Sequence, residues 1–117
     1  MLMRITEHLD LDLDTETWHC NRCAAPLGSA RASYKEGLLV ADRDPAEVHF
    51  ARAPQGSEYS FAPDSDWCRI VEFYCPRCAQ LIETEYLPPG HPITRDLELD
   101  LDALRERAAA RQARTAP

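Results

Sequence analysis

Two Cys-x-x-Cys pairs constrain this sequence more than any other feature. Cys20 and Cys23 form the first pair and Cys75 and Cys78 the second, with 51 residues between the pairs. One such turn brings two thiolates to an ion from a single tight loop, and two turns supply the four ligands of a tetrahedral zinc site. The long separation adds little loop entropy, whereas structural zinc contributes on the order of 10 kcal/mol in small domains. The spacing therefore predicts one structural zinc ion bound by these four cysteines.

Three other uses of paired cysteines are alternatives to structural zinc. Iron in a rubredoxin-like site would make the chain an electron carrier, but Ala24 and Ala79 stand where glycine usually follows each pair. A thioredoxin-type redox site needs one reactive pair at the start of a helix, which two matched pairs in a strand-rich chain do not fit. A catalytic zinc needs an open coordination position, and four cysteine ligands leave none.

Cys68 and His19 are candidates for further ligands, but the sequence favours neither. Cys68 begins a β-branched and aromatic run, where a cysteine usually serves as a small buried residue. His19 precedes Cys20, and neighbouring side chains in an extended segment point to opposite sides, so His19 is at most a neighbour of the site. No Ser/His/Asp grouping and no glycine-rich phosphate loop can be picked out in the sequence. No catalytic residue is therefore assigned.

Length and charge narrow the function classes. The 117 residues are most simply one domain, which we place at residues 1–104, with a helical or frayed tail at 105–117. The net charge is −7, and nucleic-acid binders are usually basic, so nucleic acid is not an expected partner. No apolar run approaches the roughly 20 residues of a membrane span, and no signal peptide is apparent. We expect a cytoplasmic protein, in which cysteines favour metal binding over disulfides.

The remaining pattern predicts a small mainly-β or α+β zinc-ribbon-like domain with both cysteine pairs on β-hairpins, short helices and irregular proline-rich segments. Strands are predicted at 37–41, 68–74 and 81–87. Asp44 is suited to cap a helix that starts at Pro45. The other predicted features are a surface loop at 53–66, an irregular crossing segment at 88–92 and a short helix from Leu101.

Two segments alternate leucine with acidic residues. Residues 9–14 read Leu-Asp-Leu-Asp-Leu-Asp, and residues 97–102 read Leu-Glu-Leu-Asp-Leu-Asp. Alternation gives an extended segment one apolar and one acidic face, which predicts two half-buried edge strands. Because prolines hold residues 88–102 extended before binding, we also predict that this segment docks on a partner protein. The competing interpretation is that its leucines cover the domain's own core.

Several motifs, in order along the chain, resemble a known family. They are Trp18-x-Cys20-x-x-Cys23, Arg43-Asp44-Pro45-x-Glu47, Tyr74-Cys75-Pro76-x-Cys78, Pro88-Pro89-Gly90-His91-Pro92-Ile93 and Asp96-x-Glu98-x-Asp100. Over roughly residues 9–104 the chain is similar to the small gamma subunit of acetone carboxylase and to the corresponding small subunit of acetophenone carboxylase. The Pro-Pro-Gly-x-Pro segment with the acidic alternation after it is the most specific part, since cysteine pairs occur in many families.

The resemblance implies a place in a multi-subunit, ATP-dependent ligase that adds bicarbonate-derived carbon to a ketone. In that family the large subunits resemble hydantoinases and oxoprolinases and carry the nucleotide and substrate sites. The small subunit carries zinc, and its four cysteines carry over onto Cys20, Cys23, Cys75 and Cys78. We therefore expect a zinc-binding, non-catalytic subunit whose partners are those large subunits. The alternatives are a stand-alone zinc-ribbon adaptor and the iron electron carrier.

Overall fold

The computed structural model describes residues 1–49 and 63–115. In chain order the elements of this part are β1 Leu2–Arg4, β2 Leu9–Asp12, β3 Thr17–Cys20, β4 Pro26–Ser29, a 3-10 helix at Tyr34–Gly37, β5 Leu39–Arg43, α1 Pro45–Val48, β6 Arg69–Tyr74, β7 Leu81–Leu87 and α2 Leu101–Thr115. No helix in this part is long and apolar enough to cross a bilayer. The predicted small, mainly-β class is confirmed.

The chain divides into two compact units, Met1–Leu38 with Arg95–Pro117, and Leu39–Thr94. Each unit contains one antiparallel sheet, β1-β2-β3-β4 in the first and β5-β6-β7 in the second. The proposed boundary between a domain at 1–104 and a tail at 105–117 stays a prediction.

The core of the first unit forms around Trp18 and the leucines of residues 9–14, where leucine and aspartate alternate. Leu9, Leu11 and Trp18 are each 0% exposed. The Trp18 ring meets the Tyr34 ring edge-on at 5.9 Å between centroids, and its Nε1–H donates to the Ala32 carbonyl at 3.0 Å. A buried indole thus both fills the core and satisfies its one polar group.

The prediction of an edge strand at residues 9–14 is wrong. The strand forms, but β1 pairs with one of its edges and β3 with the other, so β2 lies inside the sheet. Leu2 lies opposite Asp12 and Arg4 opposite Asp10. The alternation set the two faces correctly, but it carries no information on whether another strand will pair with the backbone edge.

The prediction of a second edge strand at 97–102 is also wrong. Residues 91–100 form neither helix nor strand, and α2 begins at Leu101. The Asp100 carboxylate accepts a hydrogen bond from the Ala103 N–H at 3.0 Å. An aspartate in this capping position stabilises a helix start. The helix therefore begins within the alternating segment, and the segment does not form a strand.

The second unit follows the predictions from sequence more closely. β6 and β7 form a hairpin with Ile70 and Phe73 fully buried, and β5 begins two residues later than predicted. Asp44 caps α1 by accepting the Ala46 N–H at 2.9 Å, as predicted from the sequence. The predicted surface loop at 53–66 lies largely outside the described residues.

Candidate metal centre

The first cysteine pair lies in the turn that joins β3 to β4. The Cys20 N–H donates to the Ala25 carbonyl at 2.9 Å, and the Ala24 N–H donates back to the Cys20 carbonyl at 2.9 Å. Ala24 reverses the chain with φ of 62°, in the left-handed region that favours glycine. Two backbone hydrogen bonds therefore hold the turn in spite of its alanine.

The second cysteine pair, between β6 and β7, repeats this geometry. The Cys75 N–H donates to the Gln80 carbonyl at 2.9 Å, and the Ala79 N–H donates to the Cys75 carbonyl at 2.9 Å. Ala79 also has φ of 62°. The two turns thus present their cysteines on the same backbone frame, and the hairpin predicted around Cys75 and Cys78 is confirmed.

The four sulfur atoms of Cys20, Cys23, Cys75 and Cys78 all lie within 4.8 Å of one another. Four sulfurs at about 2.3 Å from one zinc ion stand about 3.8 Å apart, so the observed spacing is compatible with one shared ion. Cys20 and Cys75 are buried, Cys23 and Cys78 are half-buried, and all four are free of disulfides. The cluster can therefore hold a metal ion, and its soft donors suit zinc or iron.

Cys68 and His19 lie outside this cluster. The His19 Nδ1 atom is 3.0 Å from the Ala24 carbonyl oxygen; since a carbonyl only accepts, Nδ1–H is the donor. His19 therefore stabilises the first turn by a hydrogen bond to the backbone of Ala24. Cys68 is half-buried immediately before β6, with its sulfur 3.7 Å from the Arg69 carbonyl oxygen, where a fully buried residue was expected.

A buried lysine was not found by sequence reasoning. Lys35 is 4% exposed, and its Nζ lies 3.4 Å from an Asp96 carboxylate oxygen. The Tyr34 hydroxyl donates to the other Asp96 oxygen at 3.0 Å. The sequence Ser-Tyr-Lys-Glu-Gly looks like a solvated turn, and only the 3-10 helix with its Ser33 cap carries Lys35 inward.

A second ionic cluster joins the turn after β2 to α2. Glu16 accepts from Arg31 at 2.8 and 3.0 Å and pairs with Arg105 at 2.7 Å. Hydrogen bonds from Arg31 and then Arg105 lower the pKa of Glu16 to about 2. Arg105 also donates to the Leu13 carbonyl at 2.7 Å. Sequence reasoning missed this cluster, because its members are far apart in the chain.

Fold and site together define a small β protein with a four-cysteine cluster that can hold a metal ion. The chain matches the family model described as acetone carboxylase gamma subunit over residues 3–109. It is 59% identical over 105 residues to the acetophenone carboxylase beta subunit of Aromatoleum aromaticum. That alignment covers 90% of this chain and 80% of the relative. It is 33% identical over 61 residues to the acetone carboxylase gamma subunit of Xanthobacter autotrophicus, spanning 49% of this chain and 36% of that protein.

The chain belongs to the acetone carboxylase gamma subunit family. The resemblance inferred from the motifs is thereby confirmed, and the matched residues include all four cysteines of the cluster.

Proposed function

We propose that this chain is the zinc-binding, non-catalytic small subunit of an ATP-dependent acetone or acetophenone carboxylase complex. The observation that carries the proposal is the family match across residues 3–109, joined to the 59% identity with a protein named as a carboxylase subunit. Its partners are the large hydantoinase- and oxoprolinase-like subunits, and the complex works in the cytoplasm. The large subunits carry the nucleotide and substrate sites.

Zinc is proposed as the resident metal, with Cys20, Cys23, Cys75 and Cys78 as its ligands. Four thiolates satisfy the tetrahedral preference of zinc completely, so no position is left for a substrate or a water molecule. When bound, zinc supplies folding free energy and no reaction step. The matching backbone hydrogen bonds of the two turns support an architectural site, because they hold both pairs of cysteines in the same backbone geometry.

Two carboxylates of the first unit are occupied in ion pairs, which agrees with a non-catalytic role. Glu16 is engaged by two arginines, and Asp96 accepts from Tyr34 and pairs with Lys35. Ion pairs of this kind hold segments together and leave the carboxylates occupied. A general acid or base instead has to reach a reacting group and change its protonation state near neutral pH.

The test of the function is co-production of the chain with the large carboxylase subunits of its own organism. The chain should co-purify with them, and ketone carboxylation coupled to ATP hydrolysis should require the assembled complex. The isolated chain should catalyse neither reaction. Turnover by the chain alone, after contaminating large subunits are excluded by mass spectrometry, would overturn the non-catalytic role. Failure of the wild-type chain to co-purify favours the stand-alone adaptor.

The metal assignment is tested on the purified chain with two matched cysteine variants. Elemental analysis should find about one zinc per chain. Cys75→Ser should lose zinc and melting temperature together, because metal binding and folding are coupled. Cys68→Ala should keep both, since Cys68 lies outside the cluster. A red, iron-containing protein would favour the electron carrier, and a Cys75→Ser chain with unchanged zinc would refute the ligand set.

A further inference from the structure

An open groove of about 640 Å³ lies in the first unit, along β1. One wall is formed by residues 1–4, and the other by one face of α2 that includes Leu104, Arg107, Ala108 and Arg111. Alternate residues of a strand point to opposite faces of the sheet, yet Met1 and all three residues of β1 line the groove. The groove therefore opens on the edge of the strand.

The backbone of this edge is available for pairing. The Met1 carbonyl accepts from the Leu13 N–H at 3.1 Å, and the Ile5 N–H donates to the Leu9 carbonyl at 2.9 Å. In an antiparallel ladder alternate residues bond the neighbour, so Leu2 and Arg4 direct their N–H and C=O groups away from β2. No other strand within residues 1–49 and 63–115 pairs with this side of β1.

The groove is basic in an acidic protein. The chain has a net charge of −7, and several of its arginines pair with carboxylates. Arg4, Arg107 and Arg111 line the groove. Arg107 and Arg111 form no ion pair with a described residue, whereas Arg4 donates to the Asn21 amide oxygen at 3.2 Å. The arginines with carboxylate partners are Arg31, Arg43, Arg69, Arg95 and Arg105. A positive site has thus been left open where the strand edge is open.

We propose that the groove receives an extended segment of a large carboxylase subunit, in which acidic and apolar residues alternate. The segment adds to β1 as a further strand, a common mode of peptide recognition. Its backbone pairs with Leu2 and Arg4, and its carboxylates meet Arg107 and Arg111. Its apolar side chains pack on Leu104 and Ala108. This assignment rests on the proposed function, since it takes a carboxylase subunit as the partner.

The open strand edge favours a polypeptide over other anionic partners. Lipid headgroups and nucleic acids present phosphates but no ladder of N–H and C=O groups. The net charge of −7 also disfavours approach to an anionic membrane or to nucleic acid. A segment with both carboxylates and a free backbone satisfies the arginines and the strand edge at once.

The experiment measures the affinity of the full-length chain for its purified large subunits by titration, with two matched pairs of variants. Arg111→Glu should weaken binding at least about tenfold, and more at low salt than at high salt. Arg114→Glu makes the same charge change on the same helix outside the groove and should leave the affinity within about twofold. Leu2→Pro removes an outward N–H and should also weaken binding, whereas Leu2→Ala keeps that N–H and should bind nearly as the wild type.

The variants should keep the zinc content and melting temperature of the wild type, because they leave the β1–β2 ladder and the cysteines intact. If the wild type assembles and both Arg111→Glu and Leu2→Pro assemble equally well, the groove is not the docking site although the proposed function stands. If the wild type does not assemble, the proposed function fails as well. If Leu2→Pro instead abolishes self-association of the isolated chain, the occupant is a second copy and the assignment is overturned.

Discussion

Two nearly identical strips of sequence have different structures in this protein. The first strip, residues 9–14, forms an internal strand whose leucines are completely buried at Leu9 and Leu11. The second strip, residues 97–102, is irregular until α2 begins, with Leu97 and Leu99 half-buried and Leu101 buried. In both strips the leucines are the less exposed residues. Alternation thus decides which face is covered, while the neighbours of the backbone decide whether a strand forms.

The second strip is anchored through its ends instead of through a sheet. Near its start, Asp96 is held by Tyr34 and Lys35. At its end Leu101 is buried, and just beyond the strip Arg105 reaches Glu16. Side-chain contacts therefore hold the second strip in place, whereas backbone hydrogen bonds between strands hold the first strip. Leu97 and Leu99 are half-buried, so they cover part of the protein's own core, and the docking role of residues 88–102 stays a prediction.

The largest expected effect separates the two strips directly. Leu11→Ala removes a fully buried side chain from the sheet and should lower the free energy of unfolding by about 2–5 kcal/mol. Leu99→Ala is the matched change in the second strip and should lower it by roughly 1 kcal/mol, because its side chain is only half-buried. Urea denaturation of the metal-loaded proteins measures both values. Equal losses would mean that the two strips are packed equally well.

A smaller effect tests the anchor at the start of the second strip. Tyr34→Phe deletes the hydroxyl that donates to Asp96 and keeps the ring against Trp18, so it should destabilise the protein by about 1 kcal/mol. The loss should be local, with faster hydrogen exchange at residues 95–101 and unchanged protection of β2. Faster exchange in β2 to the same extent would show that the strips unfold as one piece.

The smallest effect concerns Glu16, which joins the ends of the two strips. The pKa of Glu16 is about 2 against its ordinary value of 4.5, lowered by hydrogen bonds from Arg31 and then Arg105. A lowered folded-state pKa stabilises the protein above pH 4.5, and this contribution is lost as the pH falls towards about 2. Glu16→Gln should therefore be less stable than the wild type near neutral pH.

Denaturation of both proteins across this range isolates the contribution of Glu16, because release of the metal by acid affects them alike. The stability gap between them should narrow as the pH falls from 4.5 towards 2. A gap that stays constant over this interval would contradict the ion cluster.

Local signals in the sequence were sufficient to predict much of the fold. The hairpin around Cys75 and Cys78 was predicted because β-branched runs flank the turn, and the start of α1 was predicted from Asp44 and Pro45. The candidate site was predicted as four residues, since spacing alone pairs thiolates in a turn. The hairpin, the helix start and each cysteine pair depend on interactions within a few residues, which sequence reasoning handles well. That the two pairs share one ion was inferred from the number of ligands that zinc needs.

Several features that escaped prediction depend on contacts between distant residues. Pairing of β1 with β2 cannot be inferred from the alternation in β2. The burial of Lys35 depends on Asp96, and Glu16 is held by residues that follow far along the chain. Arg107 and Arg111 are close together in the sequence, but only the position of α2 beside β1 gives them a groove.

The two left-handed alanines have a consequence for metal affinity. Each alanine in this backbone region costs about 1 kcal/mol relative to glycine, so forming both turns costs roughly 2 kcal/mol more than in a chain with glycine at these positions. That difference corresponds to about thirtyfold in an equilibrium constant. At equal free metal concentration, Ala24 and Ala79 therefore hold the occupancy of the cluster below that of a glycine-bearing equivalent. The turn residues set how readily the site fills, although no atom of theirs touches the ion.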